Sequence, residues 1–102
     1  KLFVRDAGLL KPINPKIILY AKGEDNYTRL VTEENQEYVL SHTLKNIEEK
    51  LPNDLFCRVH KSYIINIEFI ELIEGNSIQV GDQSIPIGKA YRSRLFDQME
   101  VL

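Results

Sequence analysis

The chain lacks most of what would mark it as an enzyme, a secreted protein or a membrane protein. A single cysteine, Cys57, cannot close an internal disulfide; between Phe56 and Val59 it reads as a small core residue in a reducing, cytoplasmic setting. Cys57 and His60 have the spacing of half a metal site or of a thiol with its base, yet the only other histidine is His42 and there is no second cysteine. The adjacent acids Glu24 and Asp25 are ordinary turn residues with nothing convergent beside them. No catalytic residue, metal or cofactor is therefore expected. Long hydrophobic runs are also missing: the longest covers five residues, 17–21, where a bilayer span takes about 20. No cationic stretch precedes an apolar one as in a signal peptide, and the chain opens on Lys1, as an excised fragment would. No repeat, low-complexity tract or linker is visible. Nor is there an excess of positive charge: 13 basic residues face 15 acidic ones, for a net charge of −2, whereas nucleic-acid-binding domains are more often basic.

What is present fits one compact domain over residues 1–102, since 43 % apolar content at this length buries enough surface to fold without staples. The charge is also segregated. Glu33, Glu34, Glu37, Glu48, Glu49, Glu68, Glu71 and Glu74 stand apart from Arg58, Lys61, Lys89, Arg92 and Arg94, which occupy two short acid-free segments. Phosphate contacts decay within a Debye length of about 8 to 10 Å, so charge position outweighs the sum.

Residues 2–5 and 16–21 are rich in β-branched and large apolar side chains and read as strands, with Pro12, Asn14 and Pro15 blocking helix between them. A turn at 22–26 leads to a strand at 27–32, and the polar turn 33–36 leads to its hairpin partner at 38–41. Leu44, Ile47 and Leu51 recur at helical spacing, with Ser41 or Thr43 as the cap and Pro52 as the stop. Residues 69–73, 77–80 and 84–87, separated by Gly75-Asn76 and Gly81-Asp82, form a three-stranded meander. After Gly88, Tyr91, Leu95, Phe96 and Met99 share a helical face that Lys89 and Arg92 enter. Cations in a first turn oppose the helix macrodipole, which points to an anionic partner.

Residues 56–66 are the most informative stretch. Arg58, His60, Lys61 and Ser62 interrupt apolar strand residues at 56–59 and 63–65, the pattern of a binding loop held on a sheet. Lys61 has the alternation parity of Cys57, Val59, Tyr63 and Ile65, so one regular strand would bury its charge; a bend or bulge at 60–62 would turn it outward. Arg, Lys, Ser and Asn are the donors that phosphate oxygens and major-groove base edges accept. Asn26, on the 22–26 turn, could likewise read an adenine edge.

The run Arg58-Val59-His60-Lys61-Ser62-Tyr63-Ile64-Ile65-Asn66 resembles the signature of LytTR DNA-binding domains, and the flanking matches at 17–21, Asn26-Tyr27, Leu44, Ile47, Leu51-Pro52 and 85–87 extend the likeness over almost the whole chain. The resemblance implies a mainly β fold, an elongated arrangement of small antiparallel sheets with two short helices and no helix-turn-helix. It implies the output domain of a bacterial two-component response regulator, with a receiver domain upstream and paired direct repeats of double-stranded DNA as the target. Three loops would enter successive major grooves. By position, Asn26, Lys61 and Lys89 would face bases, Tyr27, Arg58, Ser62 and Arg92 phosphates, and His60 and Asn66 would support the loop from behind. A β-rich protein-interaction module is the alternative, favoured by the net acidity and by free strand edges.

Overall fold

The computed structural model describes residues 1–102, which form ten strands and two helices in an elongated body of 45 × 24 × 23 Å. At its centre lies a five-stranded antiparallel sheet of order β5-β4-β3-β7-β6, built from β3 (Ile18–Glu24), β4 (Tyr27–Thr32), β5 (Glu37–Leu40), β6 (Phe56–His60) and β7 (Tyr63–Asn66). Apolar residues on both faces explain why it is covered twice. Ala21, Leu30, Phe56 and Ile64 pack with Leu44 and Ile47 of helix α1 (Leu44–Lys50) and with Leu51, its C-cap. On the other face, Cys57, Val59 and Ile65 pack with Ile78, Val80 and Ile85 and with Leu95 of α2 (Arg92–Asp97). The former cluster also takes in Val4 and Ile13 from the hairpin of β1 (Leu2–Asp6) and β2 (Leu9–Ile13). The latter draws on the meander of β8 (Ile70–Glu74), β9 (Ser77–Val80) and β10 (Gln83–Pro86).

The β1–β2 hairpin departs from the sequence reading, which placed no strand at residues 9–13. Pro12 lies in β2 opposite Phe3. A two-stranded sheet consists only of edges, so a residue without an N–H is tolerated there. The turn is closed by Ala7 and Gly8, both at positive φ (51° and 80°), the requirement of the tightest hairpins. A short 3₁₀ turn at Pro15–Ile17, capped by Asn14, then starts β3 two residues later than the sequence pattern. Thr43 rather than Ser41 caps α1, its hydroxyl accepting the Asn46 N–H at 3.2 Å.

Candidate nucleic-acid interface

The β3–β4 and β6–β7 turns emerge at the same end of the central sheet, because β3 and β7 are antiparallel with Lys22 opposite Tyr63. Asp25 and Asn26 make the β3–β4 turn, Asp25 in the left-handed region at φ 55°. Lys61 and Ser62 make the β6–β7 turn, preceded by a bulge between Arg58 and His60. The expected bend is thus a hairpin turn plus a bulge, and Lys61 is exposed. Two main-chain bonds join these turns and bring in a third segment. The Gly23 N–H donates to the Ser62 carbonyl at 2.9 Å, and the Gly88 N–H donates to the Val59 carbonyl at 2.7 Å. The latter docks the 3₁₀ turn Lys89–Tyr91, at the entry to α2, against β6.

Three loops far apart in sequence therefore form one surface. Asn26, Tyr27, Lys61 and Lys89 are exposed on it, and neither lysine takes part in any of the six ion pairs of the chain. Such lysines are free to meet an anion without first breaking a bond. Ser62 is half-buried, its N–H donating to His60 Nδ1 at 3.0 Å, while the imidazole meets Tyr63 edge-on. His60 therefore braces the loop from within.

Arg58 and Arg92, expected from the sequence to meet phosphates, both make bonds within the chain. The Arg58 side chain is only 13 % exposed. Its Nε donates to the His60 carbonyl (2.8 Å), one terminal nitrogen to Glu48 Oε1 (2.8 Å) and the other to the Lys61 carbonyl. Arg92 donates to the Gly75 carbonyl (3.0 Å) and Asn76 Oδ1 (2.9 Å), tying α2 to the β8–β9 turn, and stacks on Phe96. The Arg58 guanidinium is spent inside the chain, whereas Arg92 engages one terminal nitrogen and keeps its other donors. Asn66 also differs: it is fully buried at the far end of β7, about 10 Å along the strand from Tyr63 at roughly 3.3 Å per residue. Its Nδ2 donates to the Ile18 carbonyl (2.9 Å) and its Oδ1 caps Glu68 (3.0 Å), so it secures the start of β3, not the loop.

Glu48, Arg94 and Tyr91, none of them a site residue in the sequence reading, complete the site. Glu48 pairs with Arg58 and, through its other oxygen, with Arg94 at 3.3 Å; the Tyr91 ring lies against both guanidinium groups, 5.6 and 5.3 Å from their centres. Ten and forty-six residues separate Glu48 from its partners, spacings that no local pattern reveals. Beside the Asn26 turn, Arg29 neutralises Glu24 at 3.0 Å and Lys22 approaches it at 3.7 Å. The Glu24 carboxylate, with Glu37 adding to it, raises the Arg29 pKa. Glu24 is thus already paired, while Asp25, in the turn itself, is exposed and in no ion pair. Glu33, Glu68 and Glu71 line a cleft with Leu19 and Phe69 at the opposite end of the sheet, which explains how a net acidic chain keeps a cationic end. Burial pushes the Cys57 thiol pKa up, the reverse of what a thiolate nucleophile needs.

The model of the LytTr DNA-binding domain family matches residues 9–100. The chain belongs to the LytTR family of DNA-binding domains. This LytTR domain is 35 % identical to the sensory transduction protein LytT of Bacillus subtilis over 89 residues, 81 % of the chain and 36 % of that protein. It is 25 % identical over 97 residues to the heme-containing CO-sensing transcriptional regulator RcoM 2 of Paraburkholderia xenovorans, covering 88 % of the chain and 36 % of the relative. The LytTR domain thus spans about a third of the length of these curated relatives. In fold it matches the LytTr domain of a methyl-accepting/DNA response regulator from Bacillus cereus, with a TM-score of 0.79 at 21 % identity, covering 95 % of this chain and 94 % of that one. The mainly β, elongated architecture read from the sequence is the one observed. DNA binding is the function of the family, and the protein-interaction alternative is not favoured. No helix of the LytTR domain is long and apolar enough to cross a membrane.

Proposed function

We propose that residues 1–102 act as one non-enzymatic, cytoplasmic domain of a longer bacterial regulator, reading paired direct repeats of double-stranded DNA under the control of an upstream receiver domain. The observation that carries the reading is the single surface made by the Asn26, Lys61 and Lys89 loops, with both lysines unpaired. Loops on a rigid sheet can enter the major groove where a helix would otherwise go, and base edges there distinguish all four pairs. Asn26 suits an adenine edge, and Lys61 and Lys89 suit guanine O6 and N7 or a phosphate. Tyr27 and Ser62, flanking the two turns, supply hydroxyls for the backbone. Arg58 we assign to holding the Lys61 loop, and Arg92 to fixing α2 against the β8–β9 turn. The acidic far pole faces away from DNA in this arrangement, which lowers the repulsion a uniformly acidic surface would cause.

The test is selection from a random duplex pool, with fluorescence anisotropy of the enriched sequences at two salt concentrations. A repeated motif whose affinity falls steeply with salt supports the reading, because each phosphate neutralised contributes about −0.9 to the slope of log K against log salt. A folded sample that binds no duplex at low salt would overturn it.

A further inference from the structure

We infer that Glu48, an acid on the cationic end of the molecule, is a positioning residue for DNA readout, holding two of the three loops in their reading geometry through Arg58 and Arg94. This rests on the DNA-reading surface proposed above. A carboxylate near DNA ordinarily opposes binding by repelling phosphate. Glu48 is instead the fixed point of a chain of bonds that ends on the loop backbone. Its Oε1 accepts from Arg58 at 2.8 Å. The rest of the Arg58 guanidinium donates to the His60 and Lys61 carbonyls, the peptide segment from which Lys61 projects. Glu48 Oε2 accepts at 3.3 Å from Arg94, in the first turn of α2, which follows the segment that carries Lys89. Tyr91 fills the space beside both guanidinium groups.

Without Glu48 the Arg58 fork loses the partner that fixes its plane, and the two carbonyls lose an oriented donor. Lys61 then samples several directions, and the entropy of ordering it falls on the binding step. The freed cations meanwhile favour any phosphate. Loss of Glu48 should therefore weaken binding to the selected site and strengthen binding to unrelated DNA, opposite signs that a charge effect alone cannot produce.

The experiment compares the parent, Glu48→Gln and Glu49→Gln on the duplex that the parent enriches and on a scrambled duplex of equal length. Glu49 is exposed on α1, in no ion pair, so its substitution makes the same change in charge without touching the clamp. Glu49→Gln should raise both affinities together and keep their ratio. Glu48→Gln should reduce the ratio by about tenfold, the scale of one base contact. Amide hydrogen exchange at Ser62 should rise with it, since its bond to His60 Nδ1 depends on the loop geometry. If Glu48→Gln matches Glu49→Gln in both readouts, the inference fails while the DNA reading stands. A parent that does not discriminate between the duplexes overturns the DNA reading itself. Should Glu48→Gln not fold, Glu48→Asp keeps the charge but is one methylene too short to reach both arginines; an unchanged ratio in that variant also overturns the inference.

Discussion

Arg58→Met separates two roles that the sequence left equivalent, because methionine keeps an unbranched stem for packing against Tyr91 and removes every donor. If Arg58 is a clamp, three bonds from a side chain only 13 % exposed are lost. Hydrogen bonds to charged groups contribute about 1.5 to 3 kcal/mol each. The sum is an overestimate, since the Lys61 carbonyl sits on an exposed turn that water can reach, and Glu48, 32 % exposed, keeps Arg94. A net loss of about 2 to 4 kcal/mol remains, out of the roughly 5 to 15 kcal/mol that holds a typical domain together. In thermal unfolding this corresponds to a fall of about 10 to 20 °C. Urea unfolding followed by circular dichroism measures the loss, and anisotropy at several salt concentrations, under conditions where the variant is folded, measures the slope of binding. The clamp predicts lower stability and an unchanged slope. A phosphate contact predicts stability within about 0.5 kcal/mol of the parent and a slope reduced by about 0.9. Parent-like stability with the smaller slope would refute the clamp.

Lys61→Ala should reduce discrimination between selected and scrambled duplexes by about 1 to 3 kcal/mol in anisotropy titrations, with little change in stability for an exposed residue. Uniform weakening of both duplexes would make it a phosphate contact instead. Asn66→Ala orphans the buried Ile18 carbonyl and should cost about 1 to 3 kcal/mol in urea unfolding without changing the DNA salt slope; an unaltered midpoint would contradict the role given to it. Asn66→Asp places a carboxylate oxygen against that carbonyl, so its folded pKa lies above the unfolded value of about 3.9. Its stability is then greatest below that value and lost as pH rises, and a profile no different from the parent's between about pH 3 and 7 would contradict this. Cys57 follows the same sign: burial raises its pKa, so its contribution is intact below the unfolded thiol value of about 8.5 and fades at higher pH. Iodoacetamide should label it only as fast as the domain opens; rapid labelling of folded protein would show the thiol to be accessible.

Local chemistry sufficed for most of the secondary structure. Alternating apolar residues in β3, β4, β6 and β7, Gly75 and Gly81 at positive φ in the meander turns, and the helical spacing of Leu44 and Ile47 each act over a few residues, so they are visible in a linear string. The LytTR signature at residues 58–66 and the outward turn of Lys61 were legible for the same reason. β2 was not, because Pro12 signals a turn unless one knows that the strand it joins has a free edge. Which donors are free is a further step removed. Arg58, Lys61, Lys89 and Arg92 are equal cations in sequence, and only packing leaves the lysines in solvent while occupying the arginines with Glu48, loop carbonyls and the β8–β9 turn. An arginine offers several fixed donors, so a fold uses it up wherever carbonyls converge, and a lysine's single flexible head is more readily left to water. The sequence by itself determined that this chain would present cationic loops on a β framework. Only the tertiary structure decided which of those charges remain available to a partner, because availability depends on acceptors contributed by residues distant along the chain.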